Sequence, residues 1–345
     1  MKENIEKGAM LAICMGIKMK IGKIPESVLV RSVLKKIKVK REEILIGPGI
    51  GEDCAALKLQ EGEAFVISTD PITATISDIG HLAVHVTAND LASSGAEPIG
   101  IMLTILLPPD SCEAQLKEIM EQVDDTCREL NIQVLGGHTE VTAAVNQPII
   151  SVTGIGKVKE EDIVLTRGAK PGQDIVLTKW IGLEGTSIIA KEKEEVLALK
   201  YPASLINEGK NYSNYISIVP EANIAVKLGA TSMHDVTEGG IFGALWELAQ
   251  SSSVGLEVNL KAIPIKQETV EICEAFGLNP YILISSGALL VTTDRGQDLV
   301  RELKKANIHS AVIGKITDKN ERIIRNGEEC RFLDRPQTDE LYKLQ

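Results

Sequence analysis

Aromatic side chains are scarce in this sequence: two Trp, five Tyr and four Phe among 345 residues. The core must therefore be built from Ile, Val, Leu and Ala. Positive charge is in deficit too. The 37 Lys and Arg face 48 Asp and Glu, a net charge of −11, which argues against a nucleic-acid backbone as partner because such sites need a basic surface. The basic run over 31–41 (Arg31, Lys35, Lys36, Lys38, Lys40, Arg41) is expected to be the solvated face of a helix and turn. None of the six cysteines forms a CxxC pair, and their spacing matches no zinc site, so reduced thiols of a cytoplasmic protein are expected. No apolar run is long enough to span a bilayer. The short run from Gly8 to Gly16 follows Lys2 and Lys7 like a signal peptide, but Glu3 and Glu6 interrupt the basic region. A buried helix or an arm is expected there. There is no Gly-x-Ser-x-Gly elbow for a Ser/His/Asp triad and no Gly-Lys-Ser/Thr to complete a Walker A loop.

What is present is a concentration of glycine and acid. Gly47, Gly49 and Gly51 allow a phosphate to approach the backbone closely, with a plain tight turn as the competing reading. Asp53 follows, just before apolar Ala55, Ala56 and Leu57, and a buried acid there requires a partner: a lysine, a backbone amide or a metal. Asp70 ends an expected buried strand over 64–70. Asn89 and Asp90 interrupt a helix of small and apolar residues, although both are weak helix formers. Carboxylates gathered beside a glycine-rich turn are the natural setting for magnesium and a polyphosphate. His81 and His85 have the i, i+4 spacing of a metal pair, but no third ligand is nearby and structural roles are expected. Gly136-Gly-His-Thr-Glu140 follows a strand and suits contact with a phosphate or a metal-bound water, with a simple loop as the alternative. In the second half, Thr237 is expected to cap a helix whose free amides hold an anion, with Asp235 adding a carboxylate.

The length suggests two domains. Helices are expected over 27–38, 78–94, 110–130, 183–191, 221–228 and 238–251. Strands are expected over 64–70, 98–107, 132–135, 149–158, 174–180, 287–292 and 311–316. Leu116, Ile119, Met120, Val123, Cys127 and Leu130 carry the helical period of the third helix. The polar, Gly- and Pro-marked stretch 166–174 reads as the connection between halves, and 192–220 as charged and irregular. The resulting division is an arm over 1–45, a first domain over 46–160 and a second over 170–335.

The motifs occur in a recognisable order. Gly51-Glu-Asp-Cys-Ala-Ala, Ser68-Thr-Asp, Asn89-Asp-Leu-Ala-Ser-Ser-Gly-Ala-Glu-Pro, Gly136-Gly-His-Thr-Glu and His234-Asp-Val-Thr-Glu-Gly-Gly together resemble the aminoimidazole ribonucleotide (AIR) synthetase superfamily over roughly residues 45 to 316. Leu82-Ala-Val-His-Val-Thr-Ala-Asn-Asp and Ile181-Gly-Leu-Glu-Gly-Thr-Ser-Ile-Ile-Ala are most similar to its hydrogenase-maturation HypE group. The resemblance implies a two-domain α+β fold, with N-terminal strands forming a barrel across a homodimer. It implies ATP and Mg2+ as cofactors, with Asp53, Asp70, Asp90 and Asp235 as metal ligands and Asp90 and Asp53 as catalytic residues. Gly49, Gly51, Asn89, Gly136, Gly137, Thr139 and Thr237 would contact nucleotide or substrate. The implied chemistry is phosphorylation of an oxygen on a small or thiol-linked acceptor, with a maturation protein as a further partner. A small-molecule kinase like thiamine-monophosphate kinase, or a non-catalytic nucleotide-binding scaffold, are the alternatives.

The sequence also departs from the pattern. Gly51-Glu52-Asp53 stands where relatives have Gly-Asp-Asp, and Glu238 where relatives often have Arg or Gly. The sequence ends Asp339-Glu-Leu-Tyr-Lys-Leu-Gln345, where the HypE group has a Pro-Arg-Ile-Cys-like tail bearing the carbamoyl-carrying cysteine. The resemblance does not carry that cysteine onto this chain.

Overall fold

The computed structural model describes residues 19–49, 54–73, 78–336 and 338–344. The apolar run near the start, Gly51, Asp53 and Ser77 lie outside them. The described residues divide into two compact units, one running to Leu91 and resuming over Glu97–Lys159, the other comprising Ala92–Ala96 and the chain from Glu160 onward.

In the first unit, β1 (Gly22–Lys23), β4 (Glu63–Ile72), β5 (Glu97–Leu107), β6 (Gln133–Val141) and β7 (Ile149–Lys159) form one sheet in the order β1-β6-β5-β7-β4, while β2 (Ile44–Ile46) and β3 (Ala56–Leu57) make a separate ribbon. β5 and β6 are parallel, and the helix Glu113–Leu130 makes the crossover between them that parallel strands require. Its apolar stripe is buried at Leu116, Ile119, Met120, Val123 and Cys127, as the spacing predicts.

The helix Ile79–Ser93 is apolar on almost every side and buried accordingly. Gly154 on β7 lets it approach the sheet: a Cβ there would lie 2.3 Å from the Thr87 methyl group. His81 and His85 lie side by side on the helix. Their rings meet edge to face at 4.4 Å, and His81 Nδ1 lies 3.0 Å from Thr126 Oγ1.

Two expectations for this unit need correcting. The strand over 64–70 is not buried. It extends to Ile72 at the sheet edge, and Phe65, Ile67 and Thr69 face outward. The basic run over 31–41 is not merely solvated. Arg31 forms a two-bond fork to Glu113 (2.6 Å each), Lys36 pairs with Glu121, and Arg41 bridges Glu43 and Glu97. The Arg31 fork, with help from Ser32 and Lys117, holds the Glu113 carboxyl down at about 2.

The second unit is a seven-stranded mixed sheet buried on both faces. β8 (Asp174–Thr178), β9 (Ser232–Val236), β10 (Gly255–Asn259), β11 (Ala288–Thr293), β12 (Ser310–Thr317), β13 (Arg322–Asn326) and β14 (Glu329–Phe332) lie in the order β14-β13-β10-β12-β8-β11-β9. Alternation along β8 shows the two faces. Ile175 and Leu177 join the core containing the helix Gly240–Ser252, whereas Val176 joins the core containing the helices Val219–Lys227 and Gly296–Lys305.

The stretch 192–220 is ordered rather than irregular: it holds the helices Glu194–Leu197 and Ala203–Lys210 and a 3-10 turn at Asn211–Tyr215. Lys179 organises the chain that follows. Its buried ammonium donates to the carbonyls of Tyr215, Ser217 and Gly287 and pairs with Glu221 at 2.7 Å. Among the described residues no helix is long and apolar enough to cross a membrane.

Candidate functional site

The candidate carboxylates of the first unit come from two elements. Ser68 and Asp70 are two residues apart on β4, so they point to the same face of the strand. Asp90 sits in the last turn of the helix Ile79–Ser93. Ser68 Oγ donates to Asp90 Oδ2 and lies 3.3 Å from Asp70 Oδ2. All three residues are half-buried. A hydroxyl carries a single proton and can serve only one carboxylate at a time. Two acids sharing that donor present oxygen lone pairs of the kind magnesium binds. The sequence reading left Ser68 without a role, although the period-two spacing to Asp70 could have assigned it one. Asn89, next to Asp90, is buried within the helix.

A second cluster forms at β6. The strand does not stop at Leu135 but runs on through Gly136, Gly137, His138 and Thr139 to Val141. These positions are therefore strand rather than loop. Parallel pairing to β5 sets Gly136 opposite Met102 and Gly137 opposite Leu103, just past a register shift at Ile101/Met102. The adjacent glycines do different work. Gly137 has φ +148°, and a Cβ there would lie 1.9 Å from the Leu103 carbonyl oxygen, so the fold itself requires glycine. At Gly136 a Cβ would meet only the Met102 methyl at 3.7 Å, an ordinary contact. What glycine preserves at 136 is space.

That space is a cavity of about 80 Å³ lined by Gly49, Gly136, Gly137, His138 and Thr139, with Leu29, Leu34 and Met120 on its apolar side. Four expected nucleotide-contact residues from two distant stretches thus share one cavity. His138 Nε2 lies 3.3 Å from Glu140 Oε2 beside it. The glycine-lined cavity has room for a phosphate group, and the hard-oxygen pair in the same unit is of the kind magnesium binds.

Asp235 and Thr237 belong to the second unit. Asp235 is buried on β9, opposite Leu289 of β11. Thr237 does not cap the following helix. The N-cap is Gly239, at φ +77°, and the Thr237 carbonyl accepts the Gly240 amide at 3.1 Å. Two successive glycines in left-handed conformations tighten the chain there, so the cap falls two residues later than the Thr-x-Gly-Gly pattern suggests.

The Gly239 amide is held by a carboxylate that sequence reasoning missed, Asp339 Oδ2 at 2.8 Å. Glu238 accepts from the Tyr342 hydroxyl. Nearby lies Glu184, fully buried. Burial first, then the charges of Asp339 and Glu238, push its carboxyl up to about 7, against hydrogen bonding to Ser286. Among the described residues no three His, Cys, Asp or Glu side chains converge into a metal-binding group.

Comparisons with known proteins agree with this architecture. The AIR synthase related protein N-terminal domain matches residues 51–158, and the C-terminal domain of the same family matches 170–325. The carbamoyl dehydratase HypE of Cupriavidus necator is 28% identical over 74% of this chain and 76% of its own length. The selenide, water dikinase of Methanococcus maripaludis is 28% identical over 89% of this chain and 94% of its own length. The solved structure of hydrogenase maturation protein HypE in complex with ATP superposes with a TM-score of 0.78 at 21% identity, covering 93% of this chain and 97% of that one.

Proposed function

The chain belongs to the AIR synthase related family, and we propose that it is a HypE-like, ATP- and magnesium-dependent enzyme that phosphorylates an oxygen of a small or thiol-linked acceptor. The observation that carries this reading is the junction of Asp70 and Asp90 through Ser68. The name of the Cupriavidus necator relative points to a carbamoyl oxygen as the acceptor. Phosphorylation makes that oxygen a good leaving group. Loss of phosphate and of the two nitrogen-bound protons then completes a dehydration.

Asp70 and Asp90 are the proposed magnesium ligands of the first unit. Asp53 has the same role by motif match and, with Asp90, is proposed as catalytic. Magnesium bound there supplies neutralisation of the charge that builds on the transferred phosphoryl group. Ser68 orients the Asp90 carboxylate with its one proton and stands beside Asp70, between the two acids. The Gly136 and Gly137 backbone, with Gly49, Gly51, Asn89 and Thr139, positions the nucleotide, and the apolar side of the cavity excludes water. In the second unit, Asp235 and Thr237 keep their proposed roles toward metal and substrate. The protein's contribution is chiefly placement, as expected for phosphoryl transfer.

Phosphorus NMR with magnesium, ATP and a cell metabolite extract tests the reading. ADP with free phosphate, lost in Asp90→Asn, is the expected result. ADP with a new phosphoester would move the assignment to a kinase of the thiamine-monophosphate type, AMP to selenophosphate-type chemistry, and an unchanged ATP spectrum to a binding protein. The exposed Phe65 and Ile67 on edge strand β4 support pairing with a second copy of the chain. Light scattering at the mass of a single chain would contradict that part. A maturation protein is the proposed further partner, to be checked by co-purification of an enzymatically competent complex.

A further inference from the structure

The second unit contains a cavity that none of these assignments uses. It measures about 140 Å³ and lies between the segment 331–336 and the start of the helix Gly240–Ser252. Its floor is backbone at Gly239 and Gly243. One wall is Phe242, whose ring stacks on Tyr281 at 5.1 Å and 11°. The Arg331 guanidinium lies 5.3 Å from the Phe242 ring centre, and Arg335 lines the same space.

Among the described residues neither Arg331 nor Arg335 forms an ion pair, and exposed Asp334 is the one carboxylate in the lining. Arg322 stands one helical turn further along, 3.8 Å over the Trp246 ring. Burial, and then the charge of Arg335, hold its guanidinium below the usual range. Three guanidiniums thus gather along one flank of a helix in a chain of net charge −11. The carboxylates at hand are Asp334, which is exposed, and Asp339, which is taken up by backbone amides; neither pairs with Arg331 or Arg335, and like charge gathered in this way favours a visiting anion. The helix end is not that anion's main donor, because Asp339 already holds the Gly239 amide.

We propose that this cavity binds the phosphoryl group of a small phosphate monoester, gripped by Arg331 and Arg335. A planar guanidinium fork satisfies a carboxylate by itself. Two forks match the peripheral oxygens of a tetrahedral dianion. The volume admits a phosphoryl group and a few further atoms, well short of the roughly 300–1,000 Å³ typical of pockets for larger ligands. The assignment is independent of the magnesium–nucleotide site of the first unit.

Calorimetric titration of the full chain, without magnesium and at low ionic strength, tests it with methyl phosphate, inorganic phosphate and acetate as probes. Methyl phosphate is expected to bind, at least tenfold more weakly in the Arg331→Ala/Arg335→Ala double variant, with partial recovery in the Lys/Lys double variant. Both side chains are exposed, so the thermal unfolding temperature and magnesium–ATP affinity should not change. Absence of methyl phosphate binding, binding undiminished in the Ala/Ala variant, or equal binding of acetate would overturn the proposal. Binding of inorganic phosphate without methyl phosphate would overturn the monoester assignment.

Discussion

Acids gather in both units, yet they are used in opposite ways. Asp70 and Asp90 are half-buried and tied together by one serine hydroxyl. Glu184 and Asp339 are buried, and Asp339 is held by backbone amides from Gly239 and Leu341. Water reaches the first pair, which presents oxygen lone pairs of the kind a hard cation binds. In the second group burial favours the protonated form, which makes Glu184 part of the frame rather than a metal ligand. Exposure, more than proximity, separates carboxylates that can react from those that support. The same division runs through the adjacent glycines of β6: the backbone needs Gly137, and the cavity needs Gly136.

The largest effect should come from violating the frame. Gly137→Ala places a methyl against the Leu103 carbonyl at a left-handed φ. It is expected to cost about 3 kcal/mol or more in denaturant unfolding. A loss below about 1 kcal/mol would show that β6 relaxes and that Gly137 is not structural.

Next in size is Glu184→Gln. A carboxyl raised from 4.5 to about 7 on folding binds more protons in the native state across that interval. Stability therefore falls as pH rises from about 4.5 to about 7 and is flat above, with this group contributing on the order of 3 kcal/mol. The Gln variant should lose that slope in urea unfolding measured from pH 4 to 8. An unchanged slope would remove Glu184 from the contrast.

The smallest effect on the fold should be that of Gly136→Ala. Stability should stay within about 0.5 kcal/mol while ATP affinity falls about tenfold, or roughly 1.4 kcal/mol. Unchanged affinity would break the link between the cavity and the nucleotide.

Much of this was legible in the sequence because periodicity is a local property. The helix Glu113–Leu130 and the strand Ile149–Lys159 follow from spacing alone. β4 misled because Ala64, Phe65, Val66 and Ile67 are all apolar, which hides the alternation of an edge strand whose outward residues are also hydrophobic. The stretch 192–220 is hidden from the sequence because its helices are short and its end is held by Lys179, a buried cation from another part of the chain that reaches the Tyr215 and Ser217 carbonyls. At the site, the motifs pointed to Asp70, Asp90 and the β6 glycines. They could not show that Ser68 joins the two acids, since that contact spans 22 residues. Asp339, Glu184 and Arg331 carry no local signal at all. Asp339 acts on the Gly239 amide 100 residues away, Glu184 is shifted chiefly by burial, and Arg331 meets Phe242 across the fold.

The most direct test of the central claim is manganese binding, followed by electron paramagnetic resonance in the presence of ATP. Mn2+ stands in for magnesium as a hard, oxygen-seeking cation. The account predicts a tight ATP-dependent Mn2+ site in the natural protein, weakened at least about 100-fold (some 2.7 kcal/mol) in Asp90→Asn, with the unfolding temperature preserved. Equal Mn2+ affinity in both proteins would contradict the assignment of the Ser68-linked pair as the metal-binding centre.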